Sequence, residues 1–261
     1  MKIGYIQSSP IFGNKSKNFE QVEELLANKK ADLIVLPELF ATGYTFISRR
    51  EAKNLAEGKN GETANFLKDI SKRTGAIIIG GFIEKAGDDI YNSALMILNK
   101  NIIGIYRKLH LYYKEKLWFK PGNKALNIFE VKGFKIGMMI CFDWFFPETM
   151  RSLSLLGADI ITHPTNLVLP YCQRAMTIRC LENRVYAITS NRIGEEKRGS
   201  DNFKFTGASQ ITSYNGEVLS QAPSDKKYID FIEIDVKNAR NKKLNEYNDL
   251  FNDRRVDYYE L

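Results

Sequence analysis

Residues 135–148, KIGMMICFDWFFPE, open as an apolar run and close at the start of a helix. The continuous run Lys135–Cys141 predicts a strand buried on both faces. Pro147 is favoured in a first helical turn, so a helix is predicted over Pro147–Leu156. The thiol of Cys141 is therefore expected just beyond a buried strand.

Two other predicted strands also end in a polar side chain. Ala31–Leu36 is a continuous apolar run that leads to Glu38. A hairpin is predicted from the two strand-like stretches Asn92–Leu98 and Ile102–Lys108, and its second strand ends at Lys108. Because functional crevices in α/β sheets lie beyond the carboxyl ends of strands, we expect these three ends to converge on one pocket.

The three side chains make a coherent reaction centre. A thiol reacts as thiolate, so Cys141 needs a base, and Glu38 is a candidate for it. The Lys108 ammonium suits the oxyanion of a tetrahedral intermediate. A cysteine hydrolase that attacks a carbonyl or nitrile carbon is predicted, through a thioester or thioimidate. The alternatives are a core cysteine and a solvated lysine, or a Cys–His site with His110 as base.

The remaining pattern alternates strands and amphipathic helices. Ala76–Glu84 contains Gly80-Gly81, which permits a close backbone approach. The other predicted strands are Ile3–Gln7, Ala158–His163, Val185–Ser190, Gly207–Ser213, Glu217–Ser220 and Tyr228–Asp235, and the other predicted helices are Ser16–Lys30, Glu62–Thr74 and Tyr171–Arg184. This pattern predicts an α/β fold, with either one mixed sheet or two packed sheets.

Composition narrows the class of protein. The 261 residues are 44% hydrophobic and 26% charged, which excludes a disordered chain, a collagen and a simple coiled coil. No run approaches the roughly 18 apolar residues of a membrane span, and the N-terminus reads as a strand, so a cytoplasmic location is expected. The net charge is 38 − 31 = +7. The basic residues are scattered, which argues against nucleic-acid binding. Three cysteines and two histidines without metal-ligand spacing predict neither a disulfide framework nor a zinc site.

Three segments carry a resemblance to a known family. They are LPELFATGY at 36–44, YRKLHL at 106–111 and CFDWFFPE at 141–148. In this order and approximate spacing they resemble the catalytic segments of the nitrilase superfamily of carbon–nitrogen hydrolases. The likeness runs from Lys2 through the tail, and the stretch NDLFNDRR at 248–255 is similar to archaeal-type nitrilases.

The resemblance implies a fold and an assembly. It implies a four-layer αββα sandwich in which residues 1–261 form a single domain. Members of the family pair through helices, so a homodimer or a larger oligomer is expected, with the tail 236–261 docked at the dimer interface. Candidate structural and docking residues on this side are Arg174, Arg179, Glu182, Asn183, Arg184, Arg254, Arg255, Tyr258 and Tyr259.

The resemblance also implies roles for single residues. Glu38 would be the general base, Lys108 the stabiliser of the tetrahedral intermediate and Cys141 the nucleophile, with Glu115 as a second glutamate beside the lysine. His110 would be structural. The backbone N–H of Phe142 would help to bind the oxyanion, and neighbouring substrate-binding candidates are Tyr44, Tyr113, Phe142, Trp144, Phe145, Phe146 and Asn166.

The resemblance leaves the substrate open. The motif that follows Cys141, with Asp143, departs from the Cys-Trp-Glu pattern of many nitrilases. It is more similar to the motif of amidases, N-carbamoyl hydrolases and archaeal nitrilases. Small amides, carbamoyl amines and nitriles are therefore all candidates, with a true aliphatic nitrilase as the alternative. No cofactor and no metal are expected. A non-catalytic scaffold or nucleic-acid-binding protein is the alternative from another class, and a Cys–His acyltransferase is a third.

Overall fold

The computed structural model describes residues 1–259, and strands dominate it. The strands, in chain order, are β1 (Lys2–Gln7), β2 (Leu33–Val35), β3 (Ile77–Ala86), β4 (Asp89–Leu98), β5 (Asn101–Arg107), β6 (Ile128–Val131), β7 (Phe134–Met138), β8 (Ile160–Pro164), β9 (Tyr186–Ser190), β10 (Glu195–Arg198), β11 (Asp201–Lys204), β12 (Gln210–Thr212), β13 (Val218–Gln221) and β14 (Tyr228–Glu233). The helices are α1 (Lys15–Leu26), α2 (Arg49–Leu55), α3 (Glu62–Thr74), α4 (Glu115–Trp118), α5 (Pro147–Leu155), α6 (Cys172–Asn183) and α7 (Lys237–Arg240).

The strands form two large mixed sheets and one small hairpin. The first sheet has the order β14-β1-β2-β3-β4-β5, and the second has the order β13-β12-β9-β8-β7-β6. In each sheet the central strands are parallel and the outer strands are antiparallel. β10 and β11 pair only with each other. The two six-stranded sheets settle the choice that periodicity left open.

Side-chain alternation along the strands builds the layers. In β2, Leu33 and Val35 pack into the core between the two sheets, where Ile136 and Met138 of β7 also lie. Ile34 points to the other face of the sheet, where it packs with Val22 in the core beneath α1 and α3. Helices α5 and α6 cover the outer face of the second sheet. The result is the four-layer αββα sandwich that the resemblance implied.

Some local predictions were wrong. The predicted helix Ser16–Lys30 ends at Leu26, because Asn28 adopts a left-handed φ of 60°. The strand predicted through Cys141 ends at Met138. The chain then turns into a 3-10 helix at Cys141, where φ is +40°. The pattern also missed α2, β6 and the charged hairpin of β10 and β11.

The C-terminal tail is described as far as Tyr259, and Glu260 and Leu261 lie outside the described residues. The Lys242 ammonium donates to the carbonyls of Asn183 and Arg184 at the end of α6. Tyr258 is exposed. Among the described residues, no helix is both long enough and apolar enough to cross a membrane.

The Gly80-Gly81 pair lies where β3 approaches the segment after β2. A Cβ added at Gly81 would lie 2.5 Å from the backbone nitrogen of Leu39 and 2.7 Å from Cα of Glu38. A Cβ added at Gly80 would instead meet a ring carbon of Phe40 at 3.0 Å. Backbone cannot move aside as a side chain can, so the close approach predicted from the sequence is strict at Gly81.

We therefore predict that Gly81→Ala lowers the free energy of unfolding by about 1–3 kcal/mol, as overpacking does. Gly80→Ala is the matched control and should cost less, since its neighbour is a ring that can shift. Urea unfolding of both variants measures the difference. Equal losses would contradict the contact with the Glu38 backbone.

Candidate active site

The ends of β2, β5 and β7 deliver Glu38, Lys108 and Cys141 to one buried cluster, as predicted. The Lys108 Nζ lies 2.8 Å from Glu38 Oε1 and 2.8 Å from Glu115 Oε1. All four side chains are buried. The charges of Glu38, Lys108 and Glu115 all act on the Cys141 thiol, so the four groups form one electrostatic unit.

The cluster holds one cation against two carboxyl groups. Burial lowers the pKa of Lys108, but the charges of Glu115 and Glu38 outweigh it and hold that pKa well above its ordinary value. Burial raises the pKa of Glu115 to about 7, with Lys108 opposing this shift and Glu38 adding to it. Lys108 therefore stays charged at neutral pH, while Glu115 changes its protonation near pH 7.

The two oxygens of Glu38 have different surroundings. Oε1 accepts hydrogen bonds from Lys108 Nζ and from Asn92 Nδ2, the latter at 2.6 Å. Oε2 is buried and has no partner among the described residues. A buried carboxylate oxygen without a hydrogen bond is costly, and such atoms in native proteins are often found where a catalytic role explains them. Sequence reasoning missed Asn92, although a polar residue in the apolar run of β4 was a signal for it.

The thiol of Cys141 is protonated at rest. Burial and the charge of Glu38 raise its pKa well above the ordinary value of a thiol, although Lys108 opposes them. A base must therefore remove the proton as the sulfur attacks. The positive φ of Cys141 marks a strained turn of the kind found where a nucleophile is presented.

His163 supports this turn through a hydrogen bond, and its role was not predicted from the sequence. Its Nε2 donates to the Cys141 carbonyl at 2.9 Å, and its Nδ1 lies 3.2 Å from the Thr189 hydroxyl. Burial lowers the pKa of His163 to about 4, so the ring is neutral at pH 7. The neutral ring acts as a hydrogen-bond donor to the backbone. In the sequence, the position of His163 at the end of β8 was the one indication of a role in the site.

Asp143 ties the turn to the lysine segment. Its Oδ1 accepts from the backbone N–H of His110 at 3.0 Å and lies 2.8 Å from His110 Nδ1. Its Oδ2 accepts from the Tyr106 hydroxyl at 2.7 Å and from the Ile140 N–H at 2.9 Å. The His110 ring also stacks on Phe146. His110 thus braces the segment before Glu115, as the resemblance implied, and it is bonded to Asp143 rather than to the thiol.

A small apolar cleft opens at Cys141. Its volume is about 20 Å³, and its lining residues are Tyr112, Cys141, Phe142, Trp144, Asn166, Leu167, Val168 and Leu169. Three of the predicted substrate-binding residues, Phe142, Trp144 and Asn166, therefore line it. Asn166 Nδ2 also donates to the Glu38 carbonyl at 3.0 Å, which ties the cleft to the cluster.

The other predicted binding residues lie outside that cleft. Tyr44 and Tyr113 line a neighbouring cleft of about 10 Å³, together with Glu115. Phe145 is half exposed beside Tyr171 on the face of α6. Tyr112 was not among the predicted binding residues, but it lines the cleft at Cys141, whereas Tyr113, which was predicted, does not.

The described residues offer no metal centre. Within residues 1–259, no three His, Cys, Asp or Glu side chains are placed so that they could hold a metal ion.

Known proteins match the chain over nearly all of its length. The family model described as carbon-nitrogen hydrolase matches residues 2–243. A nitrilase of Pyrococcus abyssi is 47% identical over 99% of this chain and 99% of its own. An N-carbamoylputrescine amidase of Arabidopsis thaliana is 31% identical over 94% of this chain and 90% of its own. The crystal structure of a carbon-nitrogen hydrolase from Helicobacter pylori superposes with a TM-score of 0.87 at 26% identity, covering 99% of this chain and 96% of that one.

We predict that His163 makes stability depend on pH below neutrality. The unfolded state binds a proton near pH 6.5 and the folded state only near pH 4, so stability rises with pH across this window. The full window is worth about 3 kcal/mol. Urea unfolding from pH 4.5 to 7 should show a steeper dependence in the wild type than in His163→Gln, which keeps an N–H donor. Parallel curves would contradict a neutral His163.

Proposed function

The chain belongs to the carbon-nitrogen hydrolase family, and we propose that it hydrolyses a non-peptide carbon–nitrogen bond of a small amide, carbamoyl amine or nitrile and releases ammonia. The observation that carries this proposal is the unpartnered Oε2 of Glu38 within the cluster that contains the Cys141 thiol. A buried free base beside a protonated thiol is the arrangement that nucleophilic attack requires.

Acylation begins with proton transfer from the thiol. Sγ of Cys141 attacks the carbonyl carbon of an amide while Oε2 of Glu38 takes the thiol proton. The C–S bond forms and the carbonyl π bond becomes a C–O⁻ single bond. The tetrahedral intermediate then collapses, the C–N bond breaks and ammonia leaves with the proton from Glu38. The product of this half-reaction is a thioester on Cys141.

Lys108 stabilises the oxyanion of that intermediate. Two of its three N–H bonds are directed to Glu38 and Glu115, which leaves the third for the developing charge. The backbone N–H of Phe142 is a second donor in our proposal, because it stands at the start of the 3-10 turn, where amides lack an acceptor within the turn.

Water completes the cycle through the same base. Glu38 takes a proton from water as its oxygen adds to the thioester carbon. The C–S bond then breaks, the acid is released and the sulfur regains its proton from Glu38. Throughout both half-reactions Glu115 holds Lys108 in place, and its second oxygen accepts from the Tyr112 N–H at 3.2 Å.

A nitrile can enter the same cycle one step earlier. Addition of the thiol across the C≡N bond forms a thioimidate, and water then displaces ammonia to give the same thioester. The similarity to a nitrilase at 47% identity favours this aliphatic nitrilase as a second candidate. The apolar lining and small volume of the cleft at Cys141 favour a short substrate in either case.

We further propose that the protein acts as a homodimer in the cytoplasm, without nucleic acid as a partner. Large apolar side chains are exposed along α6, among them Tyr171, Ile178 and Leu181. Exposed apolar side chains grouped on one helix face are typical of an interface. In the proposed dimer, α6 packs on its copy and the tail docks beside it.

Cys141→Ala should abolish ammonia release and leave the unfolding temperature nearly unchanged. Glu38→Gln should reduce kcat about 10²–10⁴-fold because the base is lost. The measurement is ammonia release from aliphatic dinitriles, ω-amides, N-carbamoyl amines and N-carbamoyl amino acids. Release from nitriles alone would select the nitrilase, and release from amides or carbamoyl compounds the amidase. Turnover near the wild-type rate in Cys141→Ala would contradict the nucleophile.

Sedimentation at micromolar concentration should show a dimer or a larger species. Ile178→Asp should shift it towards monomer, because a charge then lies in the apolar contact. Ile11→Asp is the control, since Ile11 is similarly exposed but is hydrogen-bonded to Asn18 of α1, the helix that packs on the first sheet. A wild-type monomer, or equal behaviour of the two variants, would overturn the proposed interface.

A further inference from the structure

A buried ion pair lies behind the glutamate segment. The guanidinium of Arg192 binds the carboxylate of Glu196, and both side chains are almost fully buried. Arg192 also donates to the Pro10 carbonyl at 3.0 Å and lies 3.9 Å above the ring of Phe205. The arginine is thus fixed on three sides, and the carboxylate bound to it has little freedom to move.

The Glu196 carboxylate also accepts hydrogen bonds from the backbone segment that follows Glu38. Its Oε2 accepts from the N–H of Tyr44 at 3.1 Å and from the N–H of Thr45 at 2.8 Å. Gly43 adopts a φ of +79°, and a Cβ there would lie 2.8 Å from the Glu196 carboxylate. The Gly-Tyr sequence at 43–44 is therefore shaped to fit this carboxylate.

Tyr44 leads from this anchor into the cluster. Its side chain is buried and lines the same cleft as Glu115. The charges of Glu115 and Glu38 act on the Tyr44 hydroxyl and, together with burial, hold its pKa well above the ordinary value. A displacement of the Tyr44 backbone would carry this hydroxyl away from Glu115.

We propose that the Arg192–Glu196 pair is a positioning device for the reaction, which holds the Tyr44 backbone so that the Tyr44 side chain stays in the cleft beside Glu115. Removing two charges from water is costly, and a buried pair repays this mainly by fixing one geometry. Here that geometry is a carboxylate bound to two consecutive backbone amides. The proposal rests on the proposed function only in assigning Glu115 to the reaction.

The nearby Tyr44 hydroxyl lowers the pKa of Glu115, so its loss or displacement should raise that pKa. The other titratable groups that act on Glu115 or share its cleft are Lys108, Glu38, Cys141, Tyr113, Lys114 and Asp201. None of these is changed in the variants below, so a shift of the inflection near pH 7 reports on Tyr44.

The experiment follows two rates against pH in the wild type, Tyr44→Phe, Glu196→Asp and the double variant. The rates are kcat for ammonia release and alkylation of Cys141 by iodoacetamide, which needs no substrate. Glu196→Asp keeps a negative charge beside Arg192, but its shorter side chain withdraws the carboxylate from the N–H groups of Tyr44 and Thr45. If thermal unfolding shows that Glu196→Asp does not fold, Glu196→Gln is used instead.

We expect both single variants to move the inflection near pH 7 to higher pH, by about half a pH unit or more. Because Glu196 acts through Tyr44, the double variant should match Tyr44→Phe in both its inflection and its kcat. Asp159→Asn is the matched control: Asp159 is buried, binds Arg240 and accepts from a backbone N–H, but it lies at the start of β8. Its inflection should not move.

Two results would overturn the positioning role. One is a Glu196 variant that is slower than wild type but keeps the wild-type inflection in both rates. The other is a double variant whose losses multiply. If the wild type releases no ammonia from any compound, the proposed function fails on its own, while the alkylation profile still decides the role of Glu196. Cys141→Ala checks that labelling occurs at this thiol, since Cys172 and Cys180 are fully buried.

Discussion

The structure depends on one buried ammonium between two buried carboxyl groups. Lys108 lies 2.8 Å from both Glu38 and Glu115, out of contact with water. One cation cannot neutralise two carboxylates in a medium of low dielectric, so one carboxyl group holds its proton to higher pH. Burial raises the pKa of Glu115 to about 7. Oε2 of Glu38 has no hydrogen-bond partner among the described residues.

The two-sheet fold serves this constraint by bringing distant parts of the chain together rigidly. β2 and β5 lie in the first sheet and β7 lies in the second, so the carboxylate and the thiol meet across the interface between sheets. Hydrogen bonds then fix each part: Asn92 on Glu38, Asp143 on the lysine segment, and His163 on the turn at Cys141. Supporting hydrogen bonds of this kind hold the side chains of a site in one geometry.

The sequence carried much of this because apolar runs that end in Glu38, Lys108 and Cys141 are visible without a structure. The helix Glu62–Thr74 was predicted to the residue, since Gly75 ends it in a left-handed conformation. The contacts of the supporting residues were not predicted. Asn92, His163 and Glu196 act through contacts with residues 54, 22 and 152 positions away, and no local pattern encodes such distances. The charged hairpin of β10 and β11 lacks the alternation by which strands are recognised.

The most direct test of the account is the mass of the protein during turnover. Wild-type enzyme that is quenched with acid while it hydrolyses a small amide should carry one acyl group. Peptide mapping should place this group on Cys141, and Cys141→Ala should carry none under the same conditions. Turnover with no adduct on Cys141, or with the acyl group on another residue, would contradict the account.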